Sequence, residues 1–385
     1  MITRYRGFLA DEGRVEAYRR AIVETVRPGD VVVDLGCGLG TYGFFALQAG
    51  ASQVYAIDNG DVIEVARQLA RTNGMADRIQ FFRMDAEEAV LPRPADWVVT
   101  EIFGPLFMTD GLESVLRHAR ERWLKPGGGF LPATVDLFLA PVESPAAYAE
   151  VDIWNGKDGA AFGLDFRPTR EMAVNSLHYP RLRGESLLAE PARFRRIDLG
   201  RDGRFGLDDR IEFTAARAGT LHGIGGWLEM TLSQTVRLTN TPVALSPPSW
   251  GHLFFPLEQP QTVFAGDRIA LHLRTTGVGE ALIWSWDIEV VKQVAGQESG
   301  RVRFNHSSFK ALPLSREDLR RQSLDFSPEL SPAGAVARFI LGRCDGARTT
   351  KQLAEEVWRE FPDRFASIDR AAVEVSRIAA LYARA

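Results

Sequence analysis

Three glycines alternate in Gly36-Cys37-Gly38-Leu39-Gly40, directly behind the apolar run Val31-Val32-Val33 and a carboxylate, Asp34. Glycine has no Cβ, so the backbone at such a turn can approach a ligand more closely than side chains would allow. A second carboxylate, Asp58, closes the next apolar run, Gln53 to Ile57, with Asn59 beside it. A carboxylate at that place suits the two hydroxyls of a ribose. The glycine turn alone also suits a dinucleotide. The bland alternative is an Asp34 that only caps a helix and an Asp58 that is merely exposed. Six scattered histidines and two cysteines, Cys37 and Cys344, offer no ligand cluster, so no metal site is expected.

These residues need elements to position them. Helical spacing covers residues 14–28, 41–49, 61–73 and 109–124, the last stopped by Lys125-Pro126-Gly127-Gly128-Gly129. Short apolar runs at 31–33, 53–57, 79–83 and 96–100 read as buried strands between them. Strands alternating with helices predict a parallel sheet covered on both faces, a doubly wound domain over residues 1–131. The pattern then changes to alternating segments separated by proline and glycine turns: 135–139, 211–215, 227–231, 235–238, 253–255, 269–273 and 283–291. Residues 132–311 are therefore an all-β region, sandwich or barrel, and the less regular stretch 145–195 is a candidate projecting arm. Residues 312–332 are polar and proline-containing, which suits a linker. Three helices follow at 333–344, 350–361 and 368–382, so 312–385 forms a third module. Cys344 falls in an apolar helical pattern and reads as core.

At 385 residues, two or three domains are expected. Lys plus Arg is 46 and Asp plus Glu is 50, a balance that argues against a nucleic-acid partner held by phosphate contacts. The N-terminal stretch MITRYRGFLADEGR has no apolar segment of a signal peptide. The uncharged stretch from Leu35 to Ile57 is split at Gly50 into a helix and a strand, so no membrane partner is expected. Two cysteines fit a reducing compartment. A soluble, cytoplasmic protein is the expectation.

The spelling Asp34-Leu35-Gly36-Cys37-Gly38-Leu39-Gly40 resembles that of class I S-adenosylmethionine-dependent methyltransferases. The segment Asp11-Glu12-Gly13-Arg14-Val15-Glu16-Ala17-Tyr18 resembles the helix ahead of the cofactor strand in protein arginine methyltransferases. The resemblance implies S-adenosyl-L-methionine as cofactor, S-adenosyl-L-homocysteine as product, and Arg14 as the partner of the cofactor carboxylate, a pairing for which Arg is suited. It assigns Asp34, Gly36, Gly38, Gly40, Asp58 and Asn59 to the same site. Met84 to Pro92 resembles the segment bordering the adenine, where Glu87 would accept from the exocyclic amine and Ala86 would offer a backbone contact. Thr100 to Asp110 resembles the loop that carries two glutamates in that family, with Glu101 and Asp110 at the acidic positions. Two carboxylates would hold a guanidinium by paired hydrogen bonds and align its nitrogen with the sulfonium methyl. Trp250 matches the tryptophan of the family's Thr-His-Trp loop and is the third catalytic candidate. The expected reaction is N-methylation of arginine in a protein or peptide.

Several positions depart from the family. Asp110 is one methylene shorter than glutamate. Ser249 occupies the histidine position, leaving His252 and His222 as substitutes. The family's aromatic Tyr-Phe-x-x-Tyr segment is not found ahead of Asp11. Residues 141–191 resemble the dimerisation arm, which implies a homodimer. Ala337 to Thr350, Leu353-Ala354 and Phe361-Pro362 resemble the helical half of PqqD-like proteins, implying a winged-helix-like module that reads a ribosomal natural-product precursor. The expected fold class is α/β plus all-β: a Rossmann-like methyltransferase domain, a β-barrel and a small helical module. Two other readings stay open: a methyltransferase acting on a small molecule or another side chain, and a non-catalytic scaffold that binds S-adenosylmethionine and a partner.

Overall fold

The computed structural model describes the chain except Met1, Pro105, Asp110, residues 153–159, Phe162, Arg204, residues 245–247, residues 279–280, Leu314, Gln322 and residues 384–385. Two compact units result, Met1–Leu312 and Pro313–Ala385. In the first, α1 (Ile2–Ala10) and α2 (Glu12–Thr25) precede β1 (Val31–Leu35), all of whose residues are buried. Burial of every residue marks a strand covered on both faces. There follow α3 (Thr41–Gln48), β2 (Gln53–Ile57), α4 (Ile63–Thr72), β3 (Ile79–Phe82), β4 (Ala95–Thr100), α5 (Leu112–His118) with a π-helical turn Ala119–Trp123, and β5 (Leu124–Leu131). The five strands run parallel in the order β3-β2-β1-β4-β5. Strand order reverses between β1 and β4, and a sheet of this kind opens a crevice beyond the carboxyl ends of those two strands. The glycine turn follows β1 and Glu101 follows β4, so topology alone brings them together.

The fifth strand departs from the expectation. The helix expected over 109–124 begins at Leu112, and the Lys-Pro-Gly-Gly-Gly run expected only as its stop lies within β5. Its strand character comes from pairing: Phe130 and Leu131 are buried opposite Val98 and Val99 of β4. Proline and three glycines carry little strand propensity of their own.

The chain continues through β6 (Thr134–Val142), α6 (Pro145–Val151), β7 (Ala160–Ala161), β8 (Leu164–Asp165), α7 (Arg170–Val174), β9 (Ala192–Asp198), β10 (Asp208–Thr214), β11 (Gly219–Thr231), β12 (Arg237–Thr239), β13 (Leu253–Val263), β14 (Arg268–Val278), β15 (Ala281–Val294) and β16 (Gln297–Ser307). They form two main antiparallel sheets, β12-β11-β6-β9 with β13 on β11, and β10-β14-β15-β16. Trp286 of the second sheet donates from its indole to the Pro256 carbonyl of the first at 3.0 Å. Side chains of both, including Leu137, Leu228, Leu271 and Ile288, share one core with the parallel sheet. β9 and β16 were not expected. In β16 the alternation Val302, Phe304, His306 against Arg301, Arg303, Asn305 is the signal that identifies it.

The second unit holds α8 (Arg316–Arg321), α9 (Pro332–Leu341), α10 (Thr350–Glu360) and α11 (Ile368–Tyr382). Ser331, Thr349 and Ser367 cap the last three, Thr349 reciprocally with Gln352. Val336, Ile340, Leu353, Val357, Val375 and Ile378 make a core of their own. Cys344 is exposed, not core: it lies just past the end of α9, where the apolar face has run out. Among the described residues this unit has no strand, and no helix of the chain is long and apolar enough to cross a membrane.

Candidate active site

A cavity of about 500 Å³ opens at the crevice between β1 and β4. Gly36 and Gly38 line it, with φ of 72° and 52°. A Cβ on Gly36 would stand 2.0 Å from the Ile102 side chain, and one on Gly38 would stand 2.7 Å from the Tyr5 ring. Glycine is therefore required both for the backbone turn and for the space. The turn is tied to β2, because the Gly36 and Cys37 amides donate to the Ile57 carbonyl at 2.9 and 3.0 Å. Cys37 also lines the cavity, and burial pushes its thiol well above the usual range, so it stays protonated.

Glu101 and Arg14 face each other in the cavity wall. Arg14 Nη1 donates to Glu101 Oε1 at 2.7 Å, and the Tyr42 hydroxyl donates to Oε2 at 2.5 Å. Burial pushes the Glu101 carboxyl up, while the Arg14 charge and the two hydrogen bonds pull it back. Arg14 is 4% exposed. It also donates to the Phe8 carbonyl at 2.6 Å, lies 3.6 Å from Asp11, and stands 6.0 Å from the centroid of the Trp250 ring. Its Nε is buried without a hydrogen bond. Desolvation works against the Arg14 charge, but Glu101, Tyr42 and Asp11 together outweigh it and the guanidinium stays charged.

The structure places the expected residues unevenly. Arg14, Gly36, Gly38, Glu101 and Trp250 line the cavity. Asp34 does not: it is 2% exposed beneath the turn, and its Oδ2 accepts the Gly43 amide at 2.8 Å in the first turn of α3. There Asp34 braces the first turn of α3. Gly40 is the α3 N-cap at φ 79° and likewise shapes the turn without lining the cavity. Asp58 accepts from the Gly38 amide at 2.9 Å and the Gly60 amide at 2.8 Å, which fixes its carboxylate beside the glycine turn. Asn59 donates to Asp85 at 2.8 Å, and the exposed Glu87 accepts from the Ser114 hydroxyl. Ala86 opens a short 3₁₀ turn before Glu87. Asp110 lies outside the described residues.

Neither alternative histidine reaches the cavity among the described residues. His252 accepts the Leu182 amide on Nδ1 at 2.8 Å and donates from Nε2 to the Asn240 carbonyl at 2.7 Å, so both nitrogens are spent on backbone. His222 packs on Tyr148, with 5.4 Å between ring centroids. At the histidine position, the Ser249 amide donates to Asp11 Oδ2 at 2.7 Å. Sequence reading missed Tyr5 and Phe8 of α1 and Tyr42 of α3, all of which line the cavity. The available signal was Tyr5, Phe8 and Leu9 at helical spacing ahead of Asp11, and Tyr42 two residues past the last glycine.

Residues 32–128 match the family described as a methyltransferase domain, and residues 138–311 the family described as the PRMT5 oligomerisation domain. Protein arginine N-methyltransferase 6 of Xenopus laevis is 32% identical over 251 residues, 61% of this chain and 72% of that protein. The chain belongs to the protein arginine methyltransferase family. A more distant member, the probable protein arginine N-methyltransferase 6 of Arabidopsis thaliana, is 29% identical over 231 residues, 58% of this chain and 53% of its own. Among solved structures, protein arginine methyltransferase 10 of Arabidopsis thaliana superposes with a TM-score of 0.71 at 21% identity, covering 80% of this chain and 98% of its own. The Trypanosoma brucei PRMT1 enzyme-prozyme complex with AdoHcy gives 0.70 at 20% identity over 80% and 98% of the two chains. At such identities the likeness is one of fold: a Rossmann-like parallel sheet followed by antiparallel sheets. The matched family segments end at residue 311, ahead of the helical unit.

Proposed function

We propose that this arginine methyltransferase-family chain transfers a methyl group from S-adenosylmethionine to a guanidinium nitrogen of arginine in a protein or peptide. The observation that carries the reading is a partly buried carboxylate, Glu101, paired with a buried arginine in a cavity lined by the glycine turn. S-adenosylmethionine, when bound, supplies an electrophilic methyl on its sulfonium. The fit rests on this chain's own groups: the glycine turn, at positive φ, presents backbone to the cavity, and the buried Arg14 guanidinium keeps an Nε–H that makes no hydrogen bond, 3.6 Å from the Asp11 carboxylate. Asp58 would take the ribose hydroxyls, and Asn59, Ala86 and Glu87 would flank the ribose and adenine. Glu101 would hold the substrate guanidinium, with Asp110 as the second carboxylate and Trp250 as a wall. The acceptor nitrogen gains the methyl and afterwards releases one proton, so no strong base is required.

The test uses radiolabelled methyl donor, denatured lysate proteins and hydrolysis of the labelled bands. Label is expected on arginine, and Glu101→Gln is expected to reduce it by on the order of 100-fold or more. Arginine label indifferent to Glu101→Gln would overturn the assignment. No protein label, with the cofactor bound tightly, would favour a small-molecule acceptor or a scaffold.

The finer parts of the reading have their own support. A homodimer built on the arm over 141–191 is supported by the match to an oligomerisation domain, and the two antiparallel sheets are read as the family's barrel. Recognition of a ribosomal natural-product precursor by a PqqD-like, winged-helix-like module is supported by the capped three-helix core alone. Binding of such peptides to the chain by fluorescence anisotropy tests it, and no binding removes it.

A further inference from the structure

We propose that Tyr42 is a positioning residue for the acceptor carboxylate, its hydroxyl fixing the rotamer and the free lone pairs of Glu101. The proposal rests on the arginine reading given above. Three observations support it. First, both carboxylate oxygens of Glu101 are engaged, Oε1 by Arg14 and Oε2 by Tyr42. An ionised carboxylate offers about four lone-pair sites. One bond on each oxygen leaves one site on each for the paired N–H groups of a guanidinium.

Second, Tyr42 is held in place from the other side of its ring. It stacks on Tyr18 with 4.4 Å between centroids and 13° between planes. Tyr18 is fully buried, and its hydroxyl donates to the Thr100 carbonyl at 3.0 Å. The chain of contacts Thr100–Tyr18–Tyr42–Glu101 therefore closes on two consecutive residues at the end of β4. One tyrosine fixes the backbone there and the other fixes the side chain that follows. An aromatic pair contributes beyond the area it buries, and a hydrogen bond to a charged group is stronger than one between neutral groups.

Third, the position that supplies a supporting histidine in the family offers no side chain to Glu101 here. Ser249 reaches Asp11 through its backbone amide, and His252 is bonded to backbone on both nitrogens. Tyr42 supplies the neutral donor instead. The groups facing Glu101 are Arg14 and Asp11 of the α2 segment, Tyr18 of α2 and Tyr42 of α3. Of these, Arg14 and Tyr42 favour its ionised form, whereas Asp11 and burial oppose it.

The substitution Tyr42→Phe keeps the ring on Tyr18 and removes only the hydroxyl. Three readouts on the full chain test the proposal. In the first, the titration of the Glu101 carboxyl is followed by ¹³C NMR of glutamate-labelled protein, assigned by its loss in Glu101→Gln. The midpoint is expected to rise in Tyr42→Phe, because a donor to the ionised form is gone. In the second, kcat against pH with an arginine peptide is expected to fall roughly tenfold, the loss of one charge-assisted bond, with its acid limb moved to higher pH. Affinity for S-adenosylmethionine by calorimetry is expected to stay within about twofold, since no bond to the cofactor is removed. An unchanged Glu101 midpoint overturns the proposal whatever the enzyme methylates. A midpoint raised by Tyr42→Phe, together with a wild-type protein that labels no arginine, overturns the arginine reading and leaves the role of Tyr42 at Glu101 standing.

Discussion

Two carboxylates near the glycine turn are held in contrasting ways. Glu101 has a guanidinium and a hydroxyl, whereas Asp34 has a single backbone donor, the Gly43 amide. Burial pushes Asp34 up to about 7, opposed by that amide and helped by the charge of Asp58. Its folded value lies above its unfolded one, so the folded state keeps a proton that the unfolded chain has lost. The stabilisation is complete below about pH 4 and is lost as pH rises through 7. Asp34→Asn can still accept from Gly43 but cannot ionise. Between pH 5 and 8, urea unfolding of wild type is expected to lose on the order of a few kcal/mol that the Asn variant retains. Parallel pH profiles of the two proteins would remove the account. At this scale the sequence shows the carboxylates and glycines but not their roles. Asp34 and Asp58 have the same chemistry in the chain and opposite surroundings in the fold. The place of Tyr42 two residues past the last glycine does not give its role, which depends on β4 and α3 meeting across the crevice.

At the scale of elements, pairing outweighs propensity. The central strands are legible because Val31-Val32-Val33 and Val98-Val99 need burial on both faces. β5 is illegible in its Lys-Pro-Gly-Gly-Gly half because the neighbouring strand, not its own residues, makes it a strand. β11 shows the same dependence more sharply. It pairs with β6, β12 and β13, and its register with β13 shifts between Leu221 and Gly223. A Cβ on Gly223 would stand 2.3 Å from the Phe255 carbonyl oxygen and 2.6 Å from the Phe254 ring. The nearest obstacle is backbone, so no rotamer change relieves it. Gly223→Ala is expected to destabilise the first unit by about 3 kcal/mol or more, measured as a lowered urea midpoint with an unchanged slope. A shift under about 0.5 kcal/mol would show that the ladder can slide to accommodate a methyl.

At the scale of the whole molecule, the chain keeps two separate cores. The first runs from the parallel sheet into both antiparallel sheets, so the crevice that holds Glu101 shares its packing with strands more than a hundred residues later in the chain. The second is closed by α9, α10 and α11 with Phe365 of the loop between the last two. These helices are legible because their caps and apolar spacing are local: Thr349 with Gln352, and Leu353 with Val357. Cys344 misleads because an apolar pattern followed past a helix end says nothing of burial. Ile340 is fully buried in the second core and absent from the first. Ile340→Ala removes three carbons from a small core, at an expected cost of about 2–5 kcal/mol. With separate cores, that loss is confined. Hydrogen exchange is expected to quicken in α9, α10 and α11 and to stay unchanged in β1 and β4. Methyl transfer to a short arginine peptide, which needs only the crevice, is expected to keep its kcat. Faster exchange in β1 or β4 would mean that the helical unit contributes to the stability of the catalytic sheet, and the two cores would then have to be treated as one.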